Sequence, residues 1–182
     1  MTALTPRAAG VRLALLQIGL LVSLGGGALL ERAWQPRGWA RVVPVDPQLP
    51  IRGRYVSLGL LVPAPRLEPG GATTGPRLDS QAVQLMARDG FLEAIAAPAD
   101  AGWPGSGRTQ QARIERIDGT VMVRLSQPLA FFIPPDVPDP SRRPAGEELW
   151  VEATLPMEGA PRPIRLGVRR TQGAITPLRW RP

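Results

Sequence analysis

The sequence contains no cysteine, no histidine and no lysine. Without cysteine it has no disulfide, no thiolate nucleophile, no iron–sulfur cluster and no cysteine-based zinc finger. Without histidine a Ser-His-Asp triad is impossible, and without lysine so are a Ser-Lys dyad and a Schiff base. Carboxylates, hydroxyls, arginine and one tyrosine remain for catalysis. We therefore expect no catalytic residue, no cofactor and no metal, and we disfavour an enzyme.

The remaining composition predicts one ordered domain. The chain has 182 residues, enough for a single domain, and 43% of them are hydrophobic, too many for a wholly disordered chain. Proline (22) and glycine (20) are abundant, which indicates many turns and loops. All 22 basic residues are arginine, and with 15 acidic residues they give a net charge of +7.

One long apolar run lies near the N-terminus. Leu13 to Leu30 contains 18 residues without a charge, preceded by Arg7 and Arg12 and followed by Glu31-Arg32. As a helix this run would be about 27 Å long, close to the roughly 30 Å of a hydrocarbon core. It predicts a transmembrane signal-anchor over 13–30, preceded by a cytoplasmic leader over 1–12.

Two alternatives remain open for this run. A cleaved signal peptide has a similar pattern, with Gly26 and Ala28 as the small residues of a cleavage site. A buried core helix is the other. Trp34 and Trp39 among arginines resemble an interfacial belt, which favours retention as an anchor. Because the leader is short, we expect it inside the cytoplasm and the long C-terminal part outside.

Small residues recur every four positions in the predicted span. Gly19, Ser23 and Gly27 therefore share one helix face, and this spacing lets a second transmembrane helix approach closely. We interpret them as candidate membrane-packing residues. The alternative is that glycine and serine are simply tolerated there.

After a connector over 31–43, where Pro36 and Gly38 break the helix, the signals over 44–182 are those of strands and turns. Two Asp-Gly pairs, Asp89-Gly90 and Asp118-Gly119, separate alternating apolar runs, the strongest short-range signal for a hairpin. Further predicted strands cover 54–62, 149–155 and 164–168, the last two forming a third hairpin. The fold class is mainly β: a single sandwich- or barrel-like extracytoplasmic domain.

The positive charge is concentrated at the C-terminus. Residues 159–182 carry six arginines and no acidic residue, which predicts a basic tail. Anionic lipid is its candidate partner, since nucleic acid would require interleaved aromatic residues. The alternative is an arginine-rich composition without a binding role. The candidate lipid-facing residues are Arg162, Arg165, Arg169 and Arg170.

Three short segments carry a family resemblance. They are Pro44-Val45-Asp46-Pro47, then Arg52 to Leu60 (RGRYVSLGL), and later Phe131-Phe132-Ile133-Pro134. Their sequences and order resemble the GDYXXLXY-motif proteins, a bacterial membrane-anchored family of unknown function. The resemblance marks as motif residues Asp46, Arg52, Gly53, Tyr55, Leu58, Phe132 and Pro134.

This copy of the motif is degenerate. Arg54 stands in place of the family's aspartate, and Pro135 in place of its glutamate. If those carboxylates perform chemistry in the family, this chain has lost it. Asp46 and Asp136 remain nearby as an alternative carboxylate pair for an envelope hydrolase. A regular strand would place Tyr55 and Leu58 on opposite faces, with Tyr55 able to bury its ring.

Together these observations predict a membrane-anchored binding or accessory protein of the bacterial cell envelope. We expect a single-pass protein of the inner membrane with a periplasmic C-terminal domain. Its expected partners are another integral membrane protein and, through the arginine-rich tail, anionic lipid. The alternatives are a carboxylate-dependent hydrolase and a module that only binds lipid.

Overall fold

The computed structural model describes residues 6–45, 55–67, 80–98, 108–134, 137–170 and 173–180, without the side chains of 6–9, 24 and 27–32. These residues form two compact units, Met1–Gln35 and Pro36–Pro182. The first is helical and the second is built of strands.

The helical unit is one helix, α1, over Pro6–Trp34. Leucine and alanine favour the helix, and it ends two residues before Pro36, which cannot continue it. The predicted span Leu13–Leu30 lies inside α1. Among the residues that the structure describes, no helix combines the length and the apolarity needed to cross a membrane.

The strands of the described residues form one ten-stranded sheet with the order β10-β9-β8-β1-β4-β3-β5-β6-β2-β7 and a further pairing of β1 with β2. The domain is therefore mainly β, as predicted. The strands are β1 Arg37–Pro44, β2 Tyr55–Pro63, β3 Ser80–Arg88, β4 Phe91–Ala96, β5 Thr109–Ile117, β6 Thr120–Leu125, β7 Leu129–Phe132, β8 Glu147–Thr154, β9 Arg162–Arg170 and β10 Thr176–Pro177.

Six of the strands, β1, β4, β3, β5, β6 and β2, close a barrel, and β1 is the strand on which it closes. The Trp39 N–H donates to the Gly90 carbonyl beside β4 (2.8 Å), and the Val45 N–H donates to the Ser57 carbonyl of β2 (3.0 Å). Along a strand, the N–H groups of every second residue point to the same edge. The bonds from residues 39 and 45 therefore leave from the same edge of β1, which pairs first with β4 and then with β2. The opposite edge pairs with β8.

The closure requires a glycine at position 38. A Cβ built on Gly38 would lie 2.7 Å from the backbone carbonyl carbon of Phe91 and 2.9 Å from a methyl group of Leu92. The backbones of β1 and β4 can approach this closely because the residue has no side chain. Gly38 is thus a packing residue, although a sequence reading takes it for a breaker.

All three predicted hairpins are confirmed. β3–β4 and β5–β6 turn at Asp89-Gly90 and Asp118-Gly119, where all four residues have positive φ, as a type I′ turn requires. β8 and β9 form the third hairpin. The strand predicted at 54–62 is β2.

The predicted connector over 31–43 is wrong. Its first part belongs to α1, and its second part is the central strand β1. Burial alternates along β1, because Gly38, Ala40 and Val42 face the core and Trp39 and Arg41 do not. The short strand β7 and the two-residue strand β10 were also not predicted.

One apolar core fills the space inside the strands. It combines Val56, Leu58, Leu60 and Val62 of β2 with residues from β1 and from the strands on both sides. Leu149 and Val151 of β8 and Leu166 of β9 belong to the same cluster. The strands β8 and β9, outside the barrel on the β1 side, therefore extend its core rather than form a second one.

We predict that Gly38→Ala destabilises the domain by about 1–3 kcal/mol, because the new methyl group would collide with the β4 backbone. Urea unfolding of the full chain measures this loss. Gly59→Ala is the matched control, since its Cβ would meet side-chain methyl groups of Val43 and Val45 at 3.2–3.3 Å. Equal losses in both variants would contradict the role of Gly38.

Candidate binding surfaces

The structure brings two of the motif segments together. β2 pairs with β7 in a register that sets Tyr55 opposite Phe132 and Leu58 opposite Leu129. The rings of Tyr55 and Phe132 meet edge to face, with centroids 5.4 Å apart. Such a pair contributes about 0.5–1.5 kcal/mol beyond area burial. Residues 77 positions apart in sequence thus form one local surface.

This pair, which we call the aromatic edge, is open to solvent. Tyr55 is 50% exposed and Phe132 is 55% exposed. Tyr55 therefore does not bury its ring, contrary to one expectation from the sequence. The predicted division of faces is confirmed, because Val56 and Leu58 are buried and Tyr55 is not. Exposed aromatic residues that contact each other are typical of binding surfaces.

The other motif residues have different positions. Leu58 is fully buried in the core. Pro134 follows β7, and its carbonyl accepts a hydrogen bond from the Val137 N–H at 3.3 Å. Asp46, Arg52 and Gly53 lie outside the described residues. So does Asp136, the other carboxylate of the alternative pair.

A second surface lies on the outer side of β1, β8 and β9, and we call it the Trp–Arg face. The Arg165 guanidinium lies over the Trp39 ring, 5.4 Å from its centroid, and the Arg165 Nε donates to the Glu152 carboxylate. A Cβ on Gly167 would lie 2.9 Å from the Trp39 ring, so the indole rests directly on the β9 backbone. The ring is held between backbone and guanidinium.

Trp150 of β8 has a similar arrangement. It lies two residues from Glu152, the residue opposite Trp39. Arg169 lies over its ring at 5.3 Å, and its indole N–H donates to the Glu148 carboxylate at 3.2 Å. Glu148 also pairs with Arg41 at 3.1 Å. Exposed ion pairs and cation–π contacts each contribute about 1 kcal/mol or less. Their repetition makes this face an ordered and nearly charge-balanced surface.

The arginine-rich C-terminus is therefore not a free tail. It forms β9, and the register sets Glu147, Glu148 and Glu152 of β8 opposite Arg170, Arg169 and Arg165. Arg170 and Arg165 form ion pairs with these glutamates. Among the predicted lipid-facing residues, Arg162 is exposed and has no ion pair within the described part of the chain.

The flanking tryptophans also differ from the expectation of an interfacial belt. Trp34, at the end of α1, is 82% exposed, but Trp39 and Arg41 are part of the sheet. The alternation in WARVV and EELWVE was the signal that could have identified the Trp–Arg face in advance.

The small residues of α1 lie where the sequence places them on the helix. Gly19 and Ser23 are exposed, and a Cβ at Gly19 would meet no atom within 4 Å. Gly27 belongs to α1, but its surroundings lie outside the described residues.

Across the described ranges, no three acidic side chains come close enough to hold a metal ion. The sequence matches no protein-family model and no curated protein, and the structure matches no solved structure. The resemblance to the GDYXXLXY-motif proteins therefore stays a prediction.

We predict that Tyr55→Ser lowers the free energy of unfolding by less than a core substitution does, because the ring is half exposed and its contact with Phe132 contributes about 0.5–1.5 kcal/mol beyond area burial. Leu58→Ala, three residues later, should cost about 2–5 kcal/mol because it leaves a cavity in the core. Urea unfolding of both variants measures the difference. A loss at Tyr55 as large as that at Leu58 would make Tyr55 a structural residue.

Proposed function

We propose that this chain is a membrane-anchored accessory protein of the bacterial cell envelope that binds a protein partner through its aromatic edge. The observation that carries the proposal is the exposed Tyr55–Phe132 pair, assembled from two strands distant in sequence. Together the two side chains form an aromatic contact surface of the kind found at the centre of protein interfaces.

The neighbourhood of the pair supports a protein partner. Val45 is 37% exposed, and its N–H bonds to Ser57, the residue two positions after Tyr55. Ala130, opposite Ser57 on β7, is also exposed. The surface is thus apolar and carries no charge at these positions. An apolar, aromatic surface fits the desolvated centre of a protein interface better than it fits an ionic ligand.

Helix α1 is the proposed anchor. The proposal rests on the whole uncharged run Leu13–Leu30, of which some side chains lie outside the described residues. Each large apolar side chain from Val11 to Val22 is 56–71% exposed, on all sides of the helix. A helix that is apolar on all sides is stable in a membrane or within a large core. We propose the inner membrane, with the β-domain in the periplasm.

Partner binding is tested by purifying the tagged full chain from native membranes in mild detergent. A photo-crosslinker at Ala130 should trap a stoichiometric integral membrane protein. The double variant Tyr55→Ser, Phe132→Ser should abolish this crosslink, because it removes both rings of the aromatic edge. Phe91→Ser, at an exposed aromatic residue outside the aromatic edge, is the matched control and should retain it. An unchanged crosslink in the double variant would refute the aromatic edge as the interface.

Anchoring and orientation have a separate test. The chain has no cysteine, so Thr120→Cys, at an exposed position next to the Asp118-Gly119 turn and away from the aromatic edge, introduces a single thiol. We expect the protein to resist alkaline extraction from membranes, and the thiol to react with an impermeant maleimide added to spheroplasts. Release at alkaline pH would contradict the anchor. Labelling only after lysis would contradict the periplasmic orientation.

A further inference from the structure

A third surface lies at the end of the β-domain where the chain arrives from α1. Arg37 begins β1 and pairs with Thr154 of β8, which in turn pairs with Arg162 of β9. The loop 155–161 between β8 and β9 lies at the same end, since the Leu155 N–H donates to the Pro36 carbonyl at 2.8 Å. We call Arg37, Arg108, Met157 and Arg162 the proximal rim.

Met157 is an exposed residue of the loop between β8 and β9. It is 67% exposed, at the tip of the loop. The buried Gln110 side chain donates to the Gly159 carbonyl at 3.0 Å, and an Arg108 guanidinium nitrogen lies 3.6 Å from the Met157 sulfur. The loop therefore contacts the start of β5 and the residue before it, at Met157 and at Gly159. Met157 is therefore an exposed apolar side chain that the domain itself does not bury.

The arginines of the rim differ from most of those on the Trp–Arg face. Arg41, Arg165 and Arg170 each pair with a glutamate, and Arg169 lies over the Trp150 ring. Within the described ranges, Arg37, Arg108 and Arg162 form no ion pair with a carboxylate. Glu158, beside Met157, is the acidic residue of the loop. The rim therefore carries a net positive charge that the domain leaves uncompensated.

The chain itself keeps this rim close to α1. Only Gln35 and Pro36 separate the last residue of α1, Trp34, from Arg37. Three residues span at most about 11 Å. If α1 spans the bilayer and ends at its surface, the start of β1 lies within about 11 Å of that surface.

We propose that the proximal rim binds the anionic phospholipid surface around α1, with Met157 inserted among the headgroups and Arg37 and Arg162 contacting phosphates. The proposal rests on the proposed anchor. Unpaired arginines attract an anionic leaflet, and an apolar tip between them enters the interface. The aromatic edge lies at the opposite end of β1, about 26 Å of strand away, and stays free for a partner.

The test uses the full chain reconstituted into vesicles of phosphatidylcholine, with or without phosphatidylglycerol. Because the sequence has no cysteine, Met157→Cys carries one environment-sensitive dye. Ala130→Cys, exposed at the aromatic edge, is the matched control. We expect a blue shift of the Met157→Cys dye and quenching by nitroxide-labelled lipid, and neither effect for the Ala130→Cys dye. Both effects should weaken without phosphatidylglycerol and with Arg37→Gln plus Arg162→Gln.

The outcomes separate the two proposals. Protein that fails to float with the vesicles refutes the anchor, and the rim proposal falls with it. Protein that floats while both dyes remain unquenched refutes the rim and leaves the anchor standing. Quenching of the Met157→Cys dye that is equal in both lipids and in the double variant refutes recognition of anionic headgroups.

Discussion

The close approach of β1 to β4 at Gly38 is the constraint on which the domain depends. It lets one edge of β1 pair with β4 and then with β2, so that the barrel closes, while the other edge carries β8, β9 and β10. The positions of both outer surfaces follow from the central place of β1. The Trp–Arg face lies on β1, β8 and β9. The aromatic edge lies on β2 and β7, near the C-terminal end of β1.

The local part of this fold could be predicted, and the long-range part could not. Asp89-Gly90 and Asp118-Gly119 specify their turns through their own backbone preferences, so the hairpins need no tertiary information. The meaning of Gly38 depends on a strand more than fifty residues later. From sequence alone it indicates a break, and only the β4 backbone beside it shows that it belongs to the central strand.

The same difference applies to the surfaces. Motif resemblance identified Tyr55 and Phe132 as residues of interest, but only the β2–β7 register shows that they touch. Counting charge along the C-terminus gave six uncompensated arginines. The β8–β9 register reverses that result for Arg165 and Arg170, because the glutamates that compensate them lie earlier in the chain. Charge balance in a sheet depends on cross-strand neighbours rather than on segments of sequence.

The position of β1 also has a consequence for how the domain forms. The three hairpins join neighbouring segments. In contrast, Arg37 of β1 pairs with Thr154 of β8, more than a hundred residues later in the chain. Closing so long a loop costs entropy before any contact compensates it, so folding of the whole is slower than folding of its hairpins. During synthesis, β1 emerges before β8 and stays unpaired along one edge until β8 follows. In that interval its unpaired edge is open to pairing with another chain.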